Sequence, residues 1–177
     1  MVLSGPNEGP NVGSVNTYSG TVGNTQLALD RGIPAIALSA DINTMDDAGL
    51  ANPNSKIVAG LTVKLLASLE AQKGSGALLA KGVALNVNFP KGVAANTGFA
   101  FSRVGTYNAY DLAFRVANGT YGMGVVVNSS KPTAAQMEDE SVVVASEVSV
   151  SAMQFGFEQH PAAQEWLRLR MQPLKGQ

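Results

Sequence analysis

The sequence predicts an α/β domain, with helices layered against a mostly parallel sheet. Three stretches carry that prediction. Ile33 to Ser39, IPAIALS, is an apolar run without alternation, the pattern of a strand covered on both faces. Asn54 to Gln72 places Ile57, Val58, Leu61, Leu65 and Leu69 on one face at helical spacing. Val83 to Phe89, VALNVNF, is a second strand of the buried kind. Strand, helix and strand in that order form a crossover unit, which is right-handed wherever it joins parallel strands.

The remaining elements follow in chain order. Met1-Val2-Leu3 reads as the end of a buried strand that opens straight into a loop. Domains rarely start on the last residues of a core strand, so the chain is expected to lack an N-terminal portion; a short edge strand at a natural terminus fits the same residues. Residues 4–20, dense in Gly, Pro, Asn and Ser, read as one long loop, and long ordered loops are often functional. Thr21 to Asp30 reads as a short helix with Val22, Leu27 and Leu29 as its apolar residues and Gly32 as its stop. Asp41 to Pro53 is polar and loop-like. Asn54 or Ser55 caps the long helix, and Lys73-Gly74 ends it. After Pro90 the character changes. Residues 99–128 carry Phe99, Phe101, Tyr107, Tyr110, Phe114, Val116, Tyr121 and Val125 to Val127, broken by Gly and Asn, and read as antiparallel strands or hairpins. Residues 142–150, VVVASEVSV, read as a strand preceded by the acidic run Glu138-Asp139-Glu140, and Pro161 to Leu174 as a C-terminal helix.

Composition excludes several classes of function. A length of 177 residues suits about one domain with a real core. Twelve Lys and Arg against thirteen Asp and Glu leave a net charge of −1, which argues against a nucleic-acid polymer as partner, since phosphate neutralisation needs clustered cations. There is no cysteine, hence no disulfide and no thiolate metal site or nucleophile. His160 is the single histidine, so one chain holds no multi-histidine metal site. His160 sits beside Pro161 in a polar stretch and reads as an exposed loop residue. No run of 18 apolar residues spans a membrane. The tail carries Trp166, Leu167, Leu169 and Met171 among three cations, and reads as an oligomer-packing helix rather than a membrane-surface one.

Chemistry concentrates near the start, in Ser4-Gly5-Pro6-Asn7-Glu8-Gly9-Pro10-Asn11-Val12-Gly13 and then Tyr18-Ser19-Gly20-Thr21-Val22-Gly23. Ser19, Gly20 and Thr21 open a helix, where unpaired N–H groups and the positive dipole end favour an anion. Gly20 lets a phosphate approach the backbone, and the Ser19 and Thr21 hydroxyls add donors. The plain alternative is a Ser/Thr N-cap with no ligand. Ser4 and Gly5 lie at the C-terminal end of a strand, where open α/β sheets place ligands. Asn7 and Asn11 bring side-chain oxygens to the same mouth, hard neutral ligands suited to Mg²⁺ or Mn²⁺. Asparagines in such loops also simply cap turns. The loop does not match the G-x-G-x-x-G setting of a dinucleotide binder, and Asp46-Asp47 does not end a following strand as a ribose-binding acid would.

The runs SGPNEGPNVG, YSGTVG and RGIPAIALSAD, followed by LNVNFP, resemble in order the motifs of the SurE survival proteins, metal-dependent 5′/3′-nucleotidases. The segment Val148-Ser149-Val150-Ser151-Ala152-Met153 is similar to the family's late strand, and Ser-Gly-Pro-Asn is similar to the branch labelled acid phosphatase. The resemblance implies a Rossmann-like three-layer core, partial here, with an antiparallel hairpin extension and a C-terminal helix, divided into a core part at 1–92 and an oligomerising part at 93–177. It implies Asn7 as a ligand of a divalent metal (Mg or Mn). Ser4 and Gly5 would form the turn that places Asn7, Asn11 would line the site, and Ser19, Gly20 and Thr21 would hold the phosphate. It further implies a nucleoside monophosphate or other phosphomonoester as substrate, and a homodimer or homotetramer.

The departures from the family pattern set further expectations. The family's paired aspartates follow its first strand and its serine ligand comes later, and this chain begins after all of them, so the catalytic acids are expected in a preceding segment. The 177 residues alone are then expected to show negligible catalysis and weak metal binding. Asp46-Asp47 reads as a solvated loop, Glu8 as pointing away from Asn7, and Asp41 as a strand-end residue that a turn explains equally well. The family's acidic pair before Tyr-Ser-Gly-Thr is replaced by Ser14-Val15. A cytoplasmic location is expected, or a periplasmic or secreted one if a signal peptide precedes. The rival reading is a non-catalytic, oligomerising, anion-binding module.

Overall fold

The computed structural model describes residues 1–41, 53–156 and 161–172. Asp46-Asp47, His160 and Leu174 lie outside the described residues. The strands are β1 (Val2–Glu8), β2 (Ala35–Ala40), β3 (Val83–Asn88), β4 (Phe99–Ser102), β5 (Tyr110–Ala117), β6 (Thr120–Val127) and β7 (Val148–Gln154). The helices are α1 (Gly20–Asp30), α2 (Pro53–Gln72), α3 (Glu140–Val143) and α4 (Pro161–Arg170), with 3-10 turns at Gly13–Tyr18 and Ala134–Gln136.

Five strands form one sheet in the order β1-β2-β3-β7-β4. β1, β2 and β3 are parallel, β7 runs antiparallel to β3, and β4 is parallel to β7. This is the expected α/β class. Strand alternation sorts the side chains into two cores. Ile36, Leu38, Leu85, Val87, Phe89 and Val148 meet Val58 and Leu61 of α2 on one face. Ala35, Ala37, Ala84 and Met153 meet Val22, Ala28 and Leu29 of α1 on the other. The small residues of β2 and β3 thus face α1.

Toward the C-terminal ends of β2 and β3 the α1 face turns polar. Register aligns Ser39 of β2, Asn88 of β3 and Ser149 of β7, and places Asn86 of β3 beside Ser151 of β7. All five are fully buried. They lie under the loop that joins β1 to α1 rather than under α1 itself.

Three expectations need correction. Residues 4–8 are strand rather than loop: Ser4 pairs with Ala37, Asn7 with Ser39 and Glu8 with Ala40, with an irregularity between Ser4 and Asn7. The bulge absorbs Gly5-Pro6, and a proline is tolerated at a bulge on an edge strand because no ladder N–H is needed there. Val142 and Val143 lie in the short helix α3, not in a strand, and β7 begins at Val148. Long-range contacts of Asp139 and Glu140, at the start of this helix, accompany the override of the β-branched preference. Phe99 and Phe101 belong to β4, which joins the main sheet, so the separate hairpin is β5-β6 alone.

That hairpin closes at Asn118-Gly119, whose φ values of +52° and +74° suit a two-residue turn between Ala117 and Thr120. It projects from the body, with Phe114 83% and Tyr121 84% exposed. Helix α4 is exposed along its described length, with Arg168 paired to Glu165 and the Arg170 guanidinium 4.3 Å from the Trp166 ring centre. Strands β4 and β7, from beyond residue 92, complete the core sheet. Among the described residues no helix is long and apolar enough to cross a membrane.

Candidate phosphate and metal site

The bulge in β1 decides how Asn7 is presented. Gly5 adopts φ +112°, a conformation that side chains resist, and this lets the strand turn at Pro6 and rejoin β2 at Asn7. The Asn7 Nδ2 group then donates to the carbonyls of Glu8 at 2.9 Å and Gly9 at 2.8 Å. Both donors of the amide face its own turn, which orients the amide oxygen away from those carbonyls.

Ser19 is the N-cap of α1, and its hydroxyl accepts from the Val22 N–H at 3.1 Å. Gly20 and Thr21 occupy the first turn, where backbone N–H groups have no helical acceptor. Asn24 donates from Nδ2 to the Ser4 hydroxyl at 3.1 Å, tying α1 to β1. Thr21 lies one turn before Asn24 on the same helical face, so the helix mouth opens toward the strand that carries Gly5 and Asn7. On the opposite flank of α1, Ser19, Val22 and Gly23 line a groove of about 550 Å³ with Met153 and Phe155.

Between these parts the loop is anchored from below. Asn11 is buried: its backbone N–H donates to Asn88 Oδ1 at 2.7 Å and its side-chain amide to the Ser39 hydroxyl at 2.7 Å. Its carbonyl accepts from Asn86 at 2.8 Å and from Asn88 at 3.0 Å. Glu140 of α3, with no exposed surface, accepts from the Gly13 N–H at 2.8 Å, Asn16 Nδ2 at 2.5 Å, Asn86 Nδ2 at 2.9 Å and the Ser151 hydroxyl at 2.8 Å. Burial pushes the Glu140 carboxyl above its usual range, and these four donors pull it back toward the charged form.

The base of the hairpin reaches the same loop. Asn108 Oδ1 accepts from the Ser14 N–H at 2.8 Å, and the Tyr110 hydroxyl donates to the Pro10 carbonyl. Burial, reinforced by the negative charges of Asp41 and Glu140, holds the Tyr110 hydroxyl above its ordinary range, so it remains a donor at neutral pH.

Sequence reading singled out Ser4, Gly5, Asn7, Asn11, Ser19, Gly20 and Thr21. The structure ties Ser4 to α1 through Asn24 and draws Asn11 into the buried polar layer. Asn16, Asn86, Asn88, Ser151, Tyr110, Asn108 and Glu140 were not singled out. LNVNFP offered the signal for the two asparagines, since polar residues alternating inside an apolar strand must find partners. Glu140 stands 127 residues from Gly13 in the chain, and no local pattern announces it.

The model of the family described as Survival protein SurE matches residues 1–111. The chain belongs to the SurE family. The 5′/3′-nucleotidase SurE of Edwardsiella ictaluri is 30% identical over 173 residues, covering 94% of this chain and 63% of that protein. An acid phosphatase of Yarrowia lipolytica is 38% identical over 95 residues, 51% of this chain and 26% of that protein. The crystal structure of the SurE protein from Aquifex aeolicus superposes with a TM-score of 0.68 at 24% identity, covering 96% of this chain and 65% of that one, and shows the shared fold. The chain thus spans less than two-thirds of the length of each of these SurE-family relatives. The SurE match holds the whole segment between β1 and α1 and ends at Asp111, before Glu140.

Proposed function

We propose that this SurE chain supplies the phosphate-holding part of a metal-dependent phosphomonoesterase that acts on nucleoside monophosphates. The observation that carries the reading is the Ser4–Asn24 tie, which joins the strand that carries the oriented amide of Asn7 to the helix whose first turn carries Gly20 and Thr21. Asn7 fits a hard divalent cation such as Mg²⁺ or Mn²⁺ through one neutral oxygen. When bound, such an ion polarises the phosphate ester and acidifies a water. The N–H groups of Gly20 and Thr21 and the helix dipole stabilise charge growing on the phosphoryl oxygens. Ser19 holds the helix mouth in shape by capping Val22.

The test is phosphate release from nucleoside monophosphates, with and without Mn²⁺ or Mg²⁺, by the natural gene product that contains these 177 residues. Release is expected only with metal, and Asn7→Ala is expected to lower it about 100-fold, the usual scale for one electrostatic contact to a reacting phosphoryl group. An Asn7→Ala protein with unchanged rate and metal affinity removes Asn7 from the site. Phosphate binding without turnover under every metal condition favours the rival reading, an anion-binding module.

The exposed apolar hairpin supports a homodimer or homotetramer, since an apolar arm of this kind is a surface for a second copy. Phe114→Asp with Tyr121→Asp is expected to lower the mass measured by sedimentation to that of a monomer. An unchanged mass rules the hairpin out as the contact.

A further inference from the structure

We propose that Glu140 is a positioning residue that fixes the ligand loop between Asn11 and Ser19 and so presents the mouth of α1. The inference rests on reading that loop as the phosphate-holding element.

The case starts from how few side-chain bonds join the 3-10 turn Gly13–Tyr18 to the body. Gly13 and Asn16 bond to Glu140, Asn16 Oδ1 accepts from Asn86 at 3.2 Å, and Ser14 bonds to Asn108. Two of these four bonds end on the Glu140 carboxylate, which Asn86 and Ser151 in turn tie to the sheet. That carboxylate takes two donors on each oxygen: Gly13 and Asn16 on Oε1, Asn86 and Ser151 on Oε2. Three N–H donors make both oxygens acceptors, and the rotatable Ser151 hydroxyl completes a set that suits an ionised acid.

The hold extends to Asn11. Asn86 Nδ2 reaches Glu140 Oε2, the Asn11 carbonyl and Asn16 Oδ1, while Asn86 Oδ1 has no partner among the described residues. The acid thus sets which way the Asn86 amide faces, and that direction sets the bond to Asn11. A glutamine at position 140 would aim its own N–H₂ at one of these donors. Ser151 could answer by rotating its hydroxyl. Asn86 could answer only by flipping, which would offer Oδ1 to the new donor but take Nδ2 away from Asn11. A buried carboxylate is costly merely as filling, because an apolar residue of like volume would serve the core at least as well. Its place here is explained by the loop it holds.

The test compares wild-type protein with Glu140→Gln, which keeps the shape and removes the charge. Hydrogen exchange read by NMR is expected to speed up about tenfold at the Gly13 amide and the Asn16 side chain, the scale of one lost charge-assisted bond, with α2 and the β5-β6 hairpin unchanged. Titration with inorganic phosphate, followed at the Gly20 to Val22 amides, is expected to show affinity weakened about tenfold. A purely structural role would instead speed exchange across the whole core together. That uniform pattern, or unchanged exchange at Gly13 and Asn16, overturns the proposal. If Glu140→Gln fails to fold, Ser151→Ala, which keeps the acid and removes one donor, must show the same local pattern at about threefold; its absence there is equally fatal. If phosphate perturbs no Gly20 to Val22 amide in the wild-type protein, the phosphate-loop reading fails, while the exchange comparison still decides the role of Glu140.

Discussion

Gly5→Ala is expected to be among the most damaging single substitutions in the chain. Gly5 adopts φ +112°, and a Cβ there would stand 2.1 Å from the Leu38 carbonyl oxygen and 2.9 Å from the Asn7 N–H nitrogen. Both neighbours are backbone, and Leu38 lies in the central parallel ladder, so neither can rotate aside. Backbone strain alone costs of order 1–3 kcal/mol, and the clash adds the displacement of β1 from β2. A total loss of about 4 kcal/mol or more is expected, against a usual net stability of about 5–15 kcal/mol. Gly9→Ala is the control. Gly9 has φ +90° with open space around its Cβ position, so it carries strain without the clash. Urea midpoints should rank wild type above Gly9→Ala, and Gly9→Ala well above Gly5→Ala. A Gly5→Ala midpoint equal to that of Gly9→Ala would show that β1 yields without cost.

The second large effect is expected at Asp139, where pH becomes the probe. Asp139 is almost fully buried and accepts from Arg103 Nε at 2.8 Å and from the backbone N–H groups of Thr106 and Tyr107 at 2.9 Å each. Gly105 makes room for it: a Cβ at Gly105 would lie 2.0 Å from the Asp139 carboxyl carbon. Burial works to raise the Asp139 carboxyl, but the Arg103 hydrogen bond and the two backbone donors bring it below its usual value. A depressed acid contributes stability that is present above its unfolded pKa, about 3.9, and is lost as pH falls through the folded value. Asp139→Ala strips acceptors from two backbone donors and is expected to cost about 3 kcal/mol at pH 7. Half-exposed Arg103 adds little, because solvent screens it. The stability gap between wild type and Asp139→Ala should narrow as pH falls below the ordinary carboxylate range, where the wild-type carboxylate takes up its proton. Glu140 works in the opposite sense, since its raised carboxyl makes the fold lose stability as pH rises above the ordinary carboxylate range. Comparing the two proteins at each pH isolates Asp139. A gap that stays constant as pH falls from neutral to well below the ordinary carboxylate range contradicts this account.

Much of the frame was legible because its signals are local. IPAIALS, the spaced leucines of α2 and VALNVN each state their structure within a few residues. SGPNE was misread because glycine and proline mark turns in most settings, and only the distant partner β2 shows that they form a bulge. The triple valine after Ser141 favours strand by itself. It lies instead in a short helix and its C-cap, directly after an Asp139 that is held by Arg103, Thr106 and Tyr107, thirty-odd residues earlier. At the site, the motif residues of the loop could be named from their order, but the layer beneath them could not. Glu138-Asp139-Glu140 looks like a solvated acidic run, yet two of its three side chains are buried, each held by donors from elsewhere in the chain. Long-range hydrogen bonding of this kind leaves no periodic trace.

The buried row of Ser39, Asn88, Ser149, Asn86 and Ser151 also acts as a key for strand alignment. Sliding β3 by one position would turn both asparagines into the oily side packed by α2 and send Leu85 and Val87 up against the loop. Sliding it by two would keep the faces but part Asn88 from Ser39 and from the Asn11 carbonyl. Only one alignment lets every tooth of this lock engage, so the amides that seat the loop also fix the register of the sheet beneath it.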